Sequence, residues 1–368
     1  MTRTTTIRRH ALRPSRLLVA GAAAALALSG CANSGDSSAS GSSAPAGAGA
    51  AQTTKAGNTA TGDGCTLEKY GLQKVDLKGA TVGFSQSEPD TAAFRAAETQ
   101  SIKDEAARIG VGKLLVTNAN AQLTKQISDI QDLLNQGAQF LIVAPVNSDG
   151  LDPALAAAKA KGVPVLTIDR KVTNTPCSDY LSFIGSDFTE QGKRAADAMA
   201  KATDGKANVA ILLGSSGNNV TDQRTSGFKD QVAAKYPDLK VVASQTGDFD
   251  RSKGQSVAEQ LLQSNPDINA IYAENDEMGL GAVQAVLSAG KQPGTDVKIV
   301  SVDGTRNAVQ SIVDGQYNAV IESNPRFGPL AFKTLMDFEN GTAIPEDIII
   351  QDGEYDPDNA AAKLANAF

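Results

Sequence analysis

The 368-residue sequence contains one histidine, three cysteines and no tryptophan, and its 34 Lys and Arg are outnumbered by 41 Asp and Glu. Each shortage removes a class of function. The histidine is His10, inside a basic leader, so the body of the chain has none. Ser-His-Asp and Cys-His catalysis and any His-ligated metal are thereby excluded. Carboxylates, lysines and tyrosines remain as possible catalysts, and no cofactor or metal is expected. No basic patch or stripe is present to follow a phosphate backbone, so no nucleic-acid partner is expected. Long apolar runs are missing too. The longest, Leu17–Leu28, has about twelve residues, too few to span a bilayer in the usual way.

What is present begins with that leader. Arg3, Arg8, Arg9, Arg13 and Arg16 come without an acid, and the apolar run ends in Leu28-Ser29-Gly30-Cys31. A basic start, a short apolar centre and small residues before a cut read as a signal peptide over 1–30. A cysteine directly after Leu-Ser-Gly resembles the lipobox of bacterial lipoproteins, which implies that Cys31 is lipidated. Loss of five arginines leaves 29 basic residues against 41 acidic, a net of −12. Ala32–Gly64 is almost wholly Ala, Gly, Ser and Thr, and cannot bury enough apolar surface to offset its ordering entropy. Residues 31–76 are assigned as a flexible tether reaching roughly 30 Å. Lipid, tether and globular body describe a protein anchored at the outer face of a cytoplasmic membrane, and the tether's length fits a Gram-positive surface. Cys65 and Cys177 are left over in an oxidising space. A Cys65–Cys177 disulfide is expected, the alternative being two free buried thiols.

From Leu77 apolar strands alternate with amphipathic helices. Strands are expected at 80–85, 113–117, 140–145, 163–168 and 180–184, then at 208–213, 240–245, 270–273, 298–302 and 318–322. Leu123, Ile127, Ile130 and Leu134 fall on one helix face. Gly110, Gly137, Gly162, Gly290 and Gly341 each follow a helical pattern, where a terminating glycine belongs. Strict alternation of strand and helix means parallel sheets. About 300 residues are too many for one such core, so two lobes are expected.

The strand ends carry the polar chemistry. Val163–Ile168 runs into Asp169-Arg170, and ligands of open α/β sheets bind beyond the carboxyl ends of the strands. Glu88, Asp90, Phe94 and Arg95 follow the first strand. Arg224, Glu274-Asn275-Asp276 and Asp303-Gly304 follow strands of the second half. Acids, amides and guanidiniums converging with an aromatic suit a sugar, whose hydroxyls need a donor and an acceptor each and whose apolar face lies on a ring. Gly214-Ser215-Ser216-Gly217 lacks the lysine of a phosphate loop and reads as a tight turn into a helix. Gly279-Leu280-Gly281 reads as packing, and Asp248-Phe249-Asp250 as a structural turn.

Seven runs resemble a known family: Thr81-Val82-Gly83-Phe84-Ser85-Gln86, Phe94-Arg95-Ala96-Ala97-Glu98-Thr99, Ala144-Pro145-Val146, Ile168-Asp169-Arg170, Gly247–Gly254, Tyr272–Met278 and Asp303-Gly304. In order, they resemble type I periplasmic sugar-binding proteins of the ribose/galactose group, the solute receptors of ABC importers. Within the group they are most similar to galactofuranose-binding receptors. The resemblance implies an α/β fold of two Rossmann-like lobes with parallel sheets, three hinge crossings and closure around one monosaccharide. The lobes are drawn as 77–185 plus 304–322 and 186–303 plus 323–368. Residue by residue, Arg95, Asp169, Arg170, Arg224, Asn275 and Asp303 are implied to hydrogen-bond the sugar, with Phe94 where the family usually stacks a tryptophan. One extra residue between Gln86 and Arg95 leaves Asp90 as the best match for the preceding acid and Glu88 as the second. The implied partners are a monosaccharide and an ABC permease, and the implied state is a monomer without catalytic activity. A receptor for a chemoreceptor or kinase would use the same ligand physics, and a carboxylate-dependent glycosidase is the enzymatic alternative.

Overall fold

The computed structural model describes Gln52, Thr54 and residues 64–72 and 76–368. The signal peptide, Cys31 and most of the tether lie outside the described residues. The first half runs α1 (Leu67–Tyr70), β1 (Thr81–Gln86), α2 (Ala93–Ile109), β2 (Lys113–Asn118), α3 (Leu123–Asn135), β3 (Phe140–Val143), α4 (Asp152–Ala160), β4 (Val165–Ile168), β5 (Ser182–Gly185). The second runs α5 (Phe188–Ala202), β6 (Ala207–Leu213), α6 (Asn219–Lys235), β7 (Leu239–Thr246), α7 (Arg251–Ser264), β8 (Ala270–Ala273), α8 (Asp276–Ser288), β9 (Lys298–Asp303), α9 (Arg306–Val313), β10 (Ala319–Glu322). The chain ends with α10 (Gly328–Glu339), β11 (Asp347–Ile349), β12 (Glu354–Tyr355) and α11 (Ala360–Lys363). All ten expected strands are found within two residues of their expected bounds. All five expected helix-ending glycines take positive φ.

Two six-stranded sheets result, ordered β11-β5-β4-β3-β1-β2 and β12-β10-β9-β8-β6-β7. Every pairing is parallel except that of β10 with β12. Each sheet is covered on both faces, which is why its central strands are continuously apolar. In β3, Phe140 and Ile142 join one core layer while Leu141 and Val143 join the other. In β6, Ala210 and Leu212 face one layer while Val209 and Ile211 face the opposite one.

The lobe boundaries need correction. Residues 304–322, expected in the first lobe, belong to the second, because β10 pairs in parallel with β9 from Ala319↔Val300 to Glu322↔Asp303. Residues 323–368, expected in the second lobe, are divided. α10 buries Ala331, Phe332, Leu335 and Phe338 in the first lobe's core, and β11 extends the first sheet beside β5. β12 and α11 then return to the second lobe. Three crossings remain, at residues 186–187, 323–327 and 350–353. β11 and β12 have only three and two residues, too short for a periodic signal.

The tether also ends earlier than residue 76. Cys65 exchanges backbone hydrogen bonds with Ile344, and the Tyr70 ring meets Phe338 edge-on at 5.9 Å. The Cys65–Cys177 disulfide is formed, with Cα atoms 5.3 Å apart. It closes a span of 112 residues within the first lobe, so its loss should cost about 2–5 kcal/mol. Thermal unfolding with and without reductant measures this: the midpoint should fall by several degrees on reduction, and an unchanged midpoint would show that the bridge carries no such constraint.

Candidate functional site

Parallel pairing brings the carboxyl ends of both sheets to one cleft, which holds a cavity of about 460 Å³. The first lobe contributes Glu88 after β1, Phe94 and Arg95 from the first turn of α2, Asn147 after β3, and Asp169 and Arg170 after β4. The second contributes Ser215 and Ser216 after β6, Arg224 from α6, Asp248, Phe249 and Asp250 after β7, Asn275 after β8, and Asp303 at the end of β9. Away from the crossings the lobes touch directly. Ser148 N–H donates to the Gly217 carbonyl at 2.9 Å, Asn219 N–H to Ser148 Oγ at 3.0 Å, and Lys171 N–H to Asn219 Oδ1 at 3.0 Å.

Arg95 is the hub of the first lobe's wall. Its Nε donates to Glu88 at 2.8 Å, and its Nη1 to Glu98 at 2.9 Å and Asp169 at 2.7 Å. Arg170 is 2 % exposed. Its Nη2 donates to Glu88 at 2.6 Å and its Nη1 to the Pro145 and Val146 carbonyls, while its Nε has no hydrogen-bond partner. That Nε lies 3.8 Å from Asp169 Oδ2. Burial alone would raise the Glu88 carboxyl, but the Arg170 and Arg95 guanidiniums outweigh it and hold the group down at about 2.

On the opposite wall Arg224 donates through Nε to Gln191 at 2.9 Å and through Nη1 to the Glu274 carbonyl at 2.5 Å. Its Nη2 lies 3.8 Å from Asp303 Oδ1. Burial pushes the Asp303 carboxyl well above its usual range. Arg224 opposes this, and the Asp276 and Asp169 carboxylates add to it. Asn275 is the N-cap of α8, its Oδ1 accepting from Met278 N–H at 2.9 Å, while its Nδ2 donates to the Phe249 carbonyl at 3.2 Å.

Of the eight residues expected at the site, Phe94, Arg95, Asp169, Arg170, Arg224, Asn275 and Asp303 line the cavity. Asp90 does not. It is exposed, and its Oδ1 accepts from Thr99 Oγ1 at 3.0 Å. The acid facing the cavity is Glu88, which accepts from Arg95 and Arg170. The main residue missed is Phe249, a second ring on the second lobe's wall with the Arg170 guanidinium 5.8 Å from its centre. Its place depends on Gly214, where a Cβ would lie 2.0 Å from the ring. The Asp248-Phe249-Asp250 turn is indeed a turn, with Asp250 capping α7, and only its meeting with the other lobe reveals the ring's second role. Likewise Gly214–Gly217 forms the turn into α6 and lines the cavity through Ser215 and Ser216.

Backbone strain collects here. Of eight described non-glycine residues with positive φ, five line the cavity: Ala121, Asp169, Asp248, Phe249 and Asp303, the last at φ 141°. Such conformations cost roughly 1–3 kcal/mol each and persist where surrounding structure over-determines them, as at ligand clamps.

Glu98, behind this wall, tests the electrostatics. Burial raises its carboxyl to about 7 despite Arg95, and its Oε1 has no partner. A folded-state value above the unfolded one gives stability that is complete below about 4.5 and lost as pH rises through about 7. Glu98→Gln should therefore gain thermal stability relative to the native protein as pH goes from 5 to 8. A difference that stays flat or shrinks across that range in melting curves would contradict the assignment.

Comparison with known proteins agrees with this architecture. Residues 82–343 match the family described as Periplasmic binding protein domain. The chain is 34% identical to the galactofuranose-binding protein YtfQ of Escherichia coli (strain K12), over 77% of this chain and 90% of that protein. It is 36% identical to the ribose import binding protein RbsB of Bacillus subtilis (strain 168), over 77% and 91%. A crystal structure from Mycobacterium smegmatis in complex with beta-D-fucofuranose superposes with a TM-score of 0.74 at 40% identity, covering 78% of this chain and 94% of the other. These are binding proteins rather than enzymes. The family match spans most of the chain, the fold superposes on the solved relative, and the chain belongs to the type I periplasmic binding protein family.

Proposed function

We propose that this protein is an exported, lipid-anchored receptor that closes on one neutral monosaccharide of the galactofuranose and galactose class and hands it to an ABC permease. The observation that carries the reading is the unfilled hydrogen-bonding capacity of buried groups around the cavity. Arg170 Nε is a buried donor without a partner, and Asp169 and Asp303 bring carboxylate oxygens from opposite lobes. A sugar hydroxyl can accept from the free Arg170 Nε–H and donate to a carboxyl oxygen, which Asp169 and Asp303 offer. Phe94 and Phe249 offer an apolar face from each lobe. Charge disfavours a strongly anionic ligand at the first lobe's wall, because the Arg95 and Arg170 guanidiniums already hold Glu88 and Asp169. A ligand touching both walls stabilises the closed arrangement, and differential contact of that kind is what a hinge receptor needs. The protein would act as a monomer, held to the membrane through Cys31 and without turning over its ligand.

Calorimetric titration is the direct test, since the absence of tryptophan removes the usual fluorescence signal. A panel of galactose, arabinose, ribose, glucose, xylose, fructose and a galactofuranoside should give one tight 1:1 binder and no product. Sugar phosphates should give no heat. Silence across the neutral panel would sink the reading.

Variants test the residues. A charge-assisted hydrogen bond is worth about 1.5–3 kcal/mol, so Arg95→Ala or Asp303→Ala should weaken binding by roughly one to two powers of ten. Asp90→Ala, outside the cavity, should leave affinity within about twofold. A larger loss in Asp90→Ala than in Glu88→Ala would reverse the choice between the two acids.

A further inference from the structure

Gln191, in the first turn of α5, takes no place in the cavity but stands directly behind it. Its side chain is buried and makes three hydrogen bonds. Oε1 accepts from Arg224 Nε at 2.9 Å, while Nε2 donates to Asp352 Oδ2 at 2.8 Å and to the Glu322 carbonyl at 3.2 Å. Only one amide orientation serves these partners, since the Arg224 guanidinium can only donate and the Glu322 carbonyl can only accept. Glu322 closes β10 at the second crossing, and Asp352 lies within the third. Those two crossings are joined in turn, Gly353 N–H donating to Glu322 Oε2 at 2.7 Å and Glu322 N–H to the Gly353 carbonyl at 3.1 Å. One turn further along α5, Arg194 grips the Asp352 and Gly353 carbonyls at 3.0 and 2.7 Å.

The approach of α5 to α6 that makes this possible is written in two glycines. A Cβ at Gly192 would lie 2.3 Å from the Arg224 carbonyl oxygen, and one at Gly227 would lie 2.2 Å from the Thr189 carbonyl oxygen. The helices therefore meet backbone to backbone, and Gln191 reaches Arg224 with no room for slack.

We infer that Gln191 is the positioning residue that couples Arg224 at the cavity to the second and third hinge crossings. The inference rests on the reading of the cavity as the sugar site. A guanidinium drawn toward a ligand pulls on an amide whose other end is fixed to the segments about which the lobes turn. This set of hydrogen bonds joins Arg224 to the crossings, so an event at either end is felt at the other. Merely filling space between α5 and α6 would need no amide at this position.

Hydrogen exchange on the full chain tests the coupling without any ligand. Gln191→Met and Arg224→Met should each speed exchange of the backbone amides over 350–355 by roughly tenfold, the loss of about one hydrogen bond. The double variant should be no faster than the single ones, because both cut the same relay. A native rate at the crossing in Arg224→Met, or effects that multiply in the double variant, would overturn the inference. A second readout separates positioning from packing. Gln191→Glu sets a carboxylate against Asp352 and should weaken sugar binding on the order of tenfold. Adding Asp352→Asn returns a donor to face it and should restore affinity to within about threefold. No restoration would mean that Gln191 acts by shape alone. Were the native protein to bind no sugar, the receptor reading would fail by itself, and the exchange cycle would still decide the relay.

Discussion

Parallel strand pairing is the constraint from which the rest of this molecule follows. In each sheet all the central strands point the same way, so every strand delivers its next residues to the same edge. Backbone hydrogen bonding, satisfied inside the sheets, leaves those edges free to carry acids, amides and guanidiniums that no core could hold. Two such edges, facing each other, make a cleft whose walls are polar while the bodies behind them are continuously apolar. The chain pays for this arrangement by crossing three times between the lobes.

The guanidiniums of the cleft all face acidic side chains, with Arg95 surrounded by Glu88, Glu98 and Asp169 and Arg224 lying 3.8 Å from Asp303. Burial raises Asp303 and Glu98, while the double arginine contact lowers Glu88. The walls are therefore held by ion pairs but not saturated in hydrogen bonds, since Arg170 Nε lacks a hydrogen-bond partner. Backbone strain at Asp169, Phe249 and Asp303 belongs to the same arrangement. Side chains are held where the cleft requires them, at the expense of local conformational preference.

Behind the second wall, α5 does more than cover its sheet. It begins immediately after the first crossing, meets α6 through Gly192 and Gly227, and holds the third crossing through Gln191 and Arg194. Residues of α5 thus stand between Arg224 of the cavity wall and the third crossing.

Much of this was determined by the linear sequence. Short apolar runs alternating with period-3.6 helical patterns placed ten strands, and terminating glycines closed the helices. The Asp169-Arg170 and Asp303-Gly304 strand ends marked the edge where seven of the eight expected site residues meet. These features are local: a strand's burial and a glycine's positive φ are decided by neighbours within a few positions. What only the tertiary structure decided are matters of partnership between distant segments. That β10 belongs with β9, that α10 returns to the first lobe, and that two very short strands complete the sheets depend on which surface each segment finds. The same holds for Glu88 over Asp90, where the turn before α2 sets which acid points inward, and for Phe249, which becomes a wall of the site only when the other lobe arrives. Gln191 is the extreme case. An ordinary glutamine in an amphipathic helix gives no signal of its own, and its significance comes from Arg224, Glu322 and Asp352, which are 33, 131 and 161 residues away along the chain but within hydrogen-bonding reach in space.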